Sequence, residues 1–144
     1  MLRSRHEAED VCQEVWERAI RGIENFRGES SLETWLCSIA RNRCLTHLEK
    51  AKRNKETHDE DWIKVPDPTP GPGERLEADE RRVAMEKAIG RLDRDFREAV
   101  LLCDFIGLSY AEIAQVTNVP VATVKTRIHR ARMRLGTLLA EFRP

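Results

Sequence analysis

Nowhere does the sequence string together the roughly 18 apolar residues a bilayer-spanning helix needs. The opening MLRSRHEAED runs from two arginines into acidic residues without the apolar core of a signal peptide. A cytoplasmic protein with no membrane insertion is the expectation. There is no CxxC pair among Cys12, Cys37, Cys44 and Cys103, which removes the common zinc spacings. Cys37 and Cys44 lie seven residues apart, roughly 10 Å along a helix at ~1.5 Å per residue, beyond disulfide reach. Buried, reduced thiols are therefore expected. No Gly-rich phosphate loop occurs, and His6, His47, His58 and His129 are scattered through basic or linker sequence. An enzyme needs nucleophile, base and acid to converge, so no catalytic residue, no metal and no cofactor is expected. No strand signal competes anywhere, and the predicted fold class is all-α.

Net charge is also missing, because 25 basic and 25 acidic residues cancel. They are unevenly spread, however. The balance is +2 over Met1–Lys55, −5 over Glu56–Asp95 and +3 over Phe96–Pro144, so segments with different partners hide behind the zero. With 144 residues, 40% hydrophobic and 35% charged, and a mean hydropathy of −0.57, the chain is one ordinary domain or two small ones. Pro66, Pro68, Pro70 and Pro72 with Gly71 and Gly73 cannot continue a helix. They mark an acidic linker over 56–74 between modules 1–55 and 75–144. Extended, roughly 20 such residues at ~3.1 Å each span about 60 Å, on the order of 18 base pairs at ~3.4 Å per step.

In the first module Val11, Cys12, Val15, Trp16, Ala19, Ile20 and Ile23 recur at helical spacing and leave Asp10, Gln13, Glu14, Glu17, Arg18 and Arg21 on the other side. Ser30 followed by Glu33 reads as a capping box opening a second helix with Leu32, Trp35, Leu36, Ile39, Ala40 and Leu48 apolar. Two helices make a poor core, so a further packing partner is expected. In the second module Val83, Ala84, Ala88, Ile89 and Leu92 form one apolar series. Asp95 with Glu98 reads as a cap for the next helix, Gly107 as its stop, and Ser109 with Glu112 as a further capping box.

After Thr117-Asn118-Val119-Pro120 comes a longer helix with no acidic residue from Val121 to Leu135. A short helix, a turn and a basic helix make the helix-turn-helix pattern of DNA-binding proteins. At ~100° per residue Val124, Ile128, Ala131 and Leu135 fall within about 60° of one another and should pack. Thr126, His129, Arg130 and Met133 point away, flanked by Lys125, Arg127, Arg132 and Arg134. Near the helix start and on its outer face, Thr123, Thr126, His129 and Arg130 are placed to reach base edges, and the flanking cations to hold phosphates.

At GLSYAEIAQVTNVPVATVKTRIHRARMRL the chain closely resembles the carboxy-terminal helix-turn-helix of extracytoplasmic-function (ECF) sigma factors of bacterial RNA polymerase. AEDVCQEVWERAI and FRGESSLETWLCSIARNRCLTHL resemble the second conserved region of the same family, and the linker sits where its two domains join. The resemblance implies that 1–55 binds core RNA polymerase and the minus-ten promoter element, while 75–144 binds the minus-thirty-five element. It implies a polymerase contact at Asp10, Gln13, Glu14 and Glu17. It also implies a minus-ten site made by Phe26, Arg27, Gly28, Glu29, Ser30 and Ser31 in the loop, with Trp35, Arg41 and Asn42 on the helix that follows. Such a loop beside an aromatic ring holds an unstacked base by stacking and backbone contacts, and Arg43, Lys50, Lys52 and Arg53 are candidates for nearby phosphates. Trp35 also lies on the apolar stripe, so core packing competes with stacking at that position. The minus-thirty-five set is Thr123, Lys125, Thr126, Arg127, His129, Arg130, Arg132 and Arg134. Two departures from the family pattern are expected to matter: the sequence begins too late to include the helix that normally precedes AEDVCQEVW, so that either its start is truncated or a partner fills the gap, and Thr46 stands where members often carry Asp. An anti-sigma factor is the further implied partner. The alternative, a stand-alone helix-turn-helix regulator, accounts for the second module but gives SSLETWLCSIARN no purpose.

Overall fold

The computed structural model describes residues 2, 4–54 and 74–140, with side chains in the third helix described from 79. The linker expected over 56–74 lies outside the described residues apart from Glu74. Among those described there are six α-helices and no strand, which is the expected all-α fold. Residue contacts divide the chain into two compact units, Met1–Val65 with Ala114–Asn118, and Pro66–Ile113 with Val119–Pro144.

The first unit is carried by an antiparallel pair of helices, α1 (Arg5–Gly22) and α2 (Leu32–Arg53). Ser4 caps α1 by accepting from the Glu7 N–H at 3.0 Å, which satisfies one of the amides a helix start leaves open. A 3₁₀ turn at Ile23–Asn25 ends it. The cap of α2 is Ser31, which accepts from the Thr34 N–H at 3.1 Å. The expected Ser30–Glu33 box is thus displaced by one residue. The Thr34 hydroxyl lies 2.8 Å from the same Ser31 oxygen and is almost fully buried, so the cap doubles as the polar seal of the helix pair. Only part of the apolar stripe on α1 is covered. Val11 and Ala19 are buried, whereas Trp16, Ile20 and Ile23 are 61%, 71% and 46% exposed. One neighbouring helix covers one side of a stripe this wide, which is why periodicity overstated the core here.

The second unit holds α3 (Glu74–Gly90), α4 (Arg94–Val100) and α6 (Val121–Ala140), while α5 (Tyr110–Thr117) is divided between the units after Ile113. α6 packs on α4 and on α3. Ala88, Leu92, Val100, Ala131 and Leu135 make the common core, with Ile89, Phe96, Leu138 and Leu139 against it. Arg97 ties α3 to α4. Its guanidinium donates to the carbonyls of Ile89, Gly90 and Leu92 at 3.1, 2.7 and 2.8 Å, supplying a cation and three donors where the end of α3 leaves carbonyls open. Burial pulls its pKa down, with Asp93 opposing.

α4 begins after Asp93, which makes no side-chain cap, so the expected Asp95–Glu98 cap is not formed. The chain continues as a π-helical segment, Leu101–Ile106. Gly107 ends it at φ +88, as expected, in the left-handed region where glycine is least strained, and the Leu108 N–H donates to the Leu102 carbonyl at 3.0 Å.

The cysteines correct their expectation. None of the four is in a disulfide, but Cys12 is exposed and Cys37, Cys44 and Cys103 are half-buried. Burial, followed by the Asp104 charge, pushes the Cys103 thiol up, which favours its protonated form.

Candidate nucleic-acid interface

The helix-turn-helix is built from local chemistry. Ser109 and Glu112 form the expected reciprocal box. The Ser109 N–H donates to Glu112 Oε2 at 2.8 Å, and the Glu112 N–H donates to Ser109 Oγ at 3.2 Å. Asn118 turns the chain at φ +55, a left-handed conformation that Asn tolerates better than most residues. The Pro120 carbonyl then accepts from the N–H groups of Thr123 and Val124 at 2.9 and 3.1 Å, so Pro120 precedes the first turn of α6.

The wheel of α6 holds throughout. Val124, Ile128, Ala131 and Leu135 are all buried, and Thr126, His129, Arg130 and Met133 are all exposed. The flanking cations divide into two groups. Arg127 donates to Asp95 at 2.7 Å, Arg132 Nε donates to Asp104 at 3.1 Å with a second, shorter bond beside it, and Arg134 donates to Asp93. The Arg134 guanidinium also lies 5.9 Å from the Phe96 ring centre. The hydrogen bond from Arg132 holds the Asp104 carboxyl below its usual range, and the same pairing raises the Arg132 pKa. Lys125, His129 and Arg130 make no ion pair among the described residues. The outer face therefore offers Thr126, His129 and Arg130, with Lys125 at its edge. The arginines expected to hold phosphates are already paired with carboxylates at the start of α4 and in the π-helical segment that follows it.

In the first unit a groove of about 690 Å³ runs between α1 and α2. It brings together Glu14 and Glu17 from the expected polymerase face with Trp35 and Asn42 from the expected minus-ten set. Arg18, Arg21 and Ile39 line the same groove and belonged to neither set. The signal for the two arginines lay in the polar side of α1, which put them next to Glu14 and Glu17. Arg43 lies 3.6 Å from Glu14 and donates to Thr46 at 3.3 Å, while Thr46 donates to the Asn42 carbonyl at 2.9 Å.

Trp35 is half-buried rather than core. A Cβ on Gly22 would sit 3.1 Å from its ring, and the Phe26 ring packs on it at 5.2 Å between centres. Gly28 takes φ +71 at the tip of the loop, between exposed Arg27 and Glu29. Ser30 donates to the Ser31 carbonyl at 3.3 Å, and Ser31 is committed to capping. Asp10 and Gln13 are exposed on α1, with His6 3.7 Å from the Asp10 carboxylate. Arg41 is half-buried and Asn42 exposed.

Two helical units, the second closing in a helix-turn-helix, match two regions of one protein class. Residues 1–54 match Sigma-70 region 2, and residues 82–135 match Sigma-70, region 4, which places the chain among RNA polymerase sigma subunits. Over 140 residues it is 38% identical to the ECF RNA polymerase sigma factor SigE of Mycolicibacterium smegmatis, covering 96% of this chain and 54% of that protein. It is 36% identical over 132 residues to the ECF RNA polymerase sigma factor EcfG of Rhodopseudomonas palustris, covering 92% and 71%. The sigma factor RpoE of Bartonella quintana, solved in complex with the anti-sigma factor NepR, superposes with a TM-score of 0.79 at 27% identity, covering 99% of this chain and 86% of that one. The chain belongs to the ECF sigma factors. It spans about half the length of the Mycolicibacterium relative.

Proposed function

We propose that this chain binds core RNA polymerase through the Asp10, Gln13, Glu14 and Glu17 face of α1, meets the minus-ten element with the loop and groove of module 1–55, and meets the minus-thirty-five element with α6 of module 75–144. The observation that carries the reading is the outer face of α6, which exposes Thr126, His129 and Arg130 on a helix without an acidic residue from Val121 to Leu135. A stand-alone regulator would use α6 in the same way but leaves the groove between α1 and α2 without a role. The chemistry is binding, with no reaction, metal or cofactor, and its setting is the bacterial cytoplasm; among the described residues no helix is long and apolar enough to cross a membrane. An anti-sigma factor is a further proposed partner, supported by the Bartonella sigma factor and its NepR complex.

The test replaces Asp10, Gln13 and Glu14 by alanine together. An acidic and polar stripe suits a basic partner surface, so co-elution with core polymerase should weaken while helical circular dichroism is retained. Undiminished co-elution of a folded variant contradicts the polymerase face.

A further inference from the structure

Three arginines of α6 are paired with three aspartates that lie 28 to 41 residues earlier in the chain. The aspartates give something up to do this. Asp is among the best helix caps, yet Asp93 stands at the cap position of α4, makes no side-chain cap, and accepts from Arg134 instead. Asp95, two residues further in, accepts from Arg127, and Asp104 takes two donors from Arg132. Arg132 and Lys125 share one flank of α6 and Arg127 and Arg134 the other, by the ~100° step of the helix. The restraints therefore act on both sides of the outward face and leave Arg130 and His129, which lie between them, without an ion pair among the described residues.

Arg132 is forked onto Asp104, while Arg127 and Arg134 each give one bond to an aspartate; a guanidinium so paired has its charge offset and fewer donors left for a phosphate, and the carboxylate itself repels the duplex. Such exposed pairs add little stability, so their energetic worth to the fold does not account for three of them around one helix. Building on the DNA-contacting role of α6 proposed above, we infer that Asp93, Asp95 and Asp104 are positioning residues that hold Arg134, Arg127 and Arg132 off the DNA backbone. Sequence-independent affinity is thereby kept low, and discrimination rests on Thr126, His129 and Arg130 together with whatever the polymerase supplies.

The salt dependence of DNA binding measures this directly, because each phosphate neutralised contributes about 0.9 to the slope of log affinity against log salt. The full chain is titrated with a fluorescent random-sequence duplex across about 50 to 200 mM salt. Asp104→Asn should steepen the slope by about 0.9, and the triple variant Asp93→Asn, Asp95→Asn, Asp104→Asn by about 2.7. Asp104→Glu, which keeps the carboxylate, should retain the wild-type slope. The double variant Asp104→Asn, Arg132→Gln should return to it, since it carries the wild-type net charge with no arginine to release. An unchanged slope in Asp104→Asn overturns the inference. So does steepening that persists in the double variant, which would assign the effect to removal of negative charge alone. A wild-type chain with no salt-dependent binding overturns the DNA-contacting role itself, an outcome separate from both.

Discussion

At the scale of single residues, chemistry on α6 divides by what each side chain already holds. Arg130 and Lys125 have no carboxylate among the described residues, while Arg134 has Asp93. Arg130 on the outer face is placed for a base edge, so Arg130→Ala should cost about 1–3 kcal/mol at one base position and relax preference there. Lys125→Ala should weaken all sequences alike and lower the salt slope by about one. Arg134→Ala should leave the base-preference profile unaltered and move the slope little, because its guanidinium is already taken. A panel of single-base changes in the upstream element, measured within the polymerase complex, separates the three. A shifted preference profile in Arg134→Ala with none in Arg130→Ala contradicts the assignment of faces. Sequence patterning placed these side chains around the helix correctly from the ~3.6-residue period. Their partners stayed hidden, because an ion pair spanning 28 to 41 residues leaves no periodic trace.

At the scale of elements, the junction of α3 and α4 depends on one side chain. Arg97 donates to three carbonyls, so Arg97→Ala opens the end of α3 and unseats the helix that carries Asp93 and Asp95. A loss of about 2 kcal/mol is expected, in line with charge-assisted hydrogen bonds, and thermal unfolding followed by circular dichroism checks it. An unchanged midpoint would show that water satisfies those carbonyls equally well. Nothing in the sequence singled out Arg97, since an arginine four residues into a new helix reads as solvated surface. The legible features were the local ones: the Ser109–Glu112 box, the Gly107 stop and the four buried positions of α6 each depend on residues within a few turns of each other. Caps were less secure where two candidates adjoin. Ser30 and Ser31 are both good cap residues and only Ser30 has a Glu three positions on, yet Thr34, buried against Ser31, decides for Ser31. The stripe on α1 was legible as apolar but not as covered, since periodicity shows which side could pack and not whether anything lies on it.

For the whole molecule, the function proposed above joins two kinds of contact in one chain: a groove and loop that meet an unstacked base, and a helix that enters the major groove. Neither needs catalysis, and each is modest by itself, with few unpaired cations on α6 and a mixed-charge groove between α1 and α2. Small separate contacts of this kind gain their effect by being linked, because the second binds at the effective concentration that the first creates. The linker was read from composition, since alternating prolines and glycines cannot continue a helix; apart from Glu74, its span lies outside the described residues. The most direct measurement is a footprint of core RNA polymerase, with and without the chain, on genomic DNA fragments retained by the complex. The expected result is two protected elements upstream of the start site that appear only when the chain is present, separated by no more than about 18 base pairs at ~3.4 Å per step. A polymerase footprint identical with and without the chain, or protection of a single element, would contradict it.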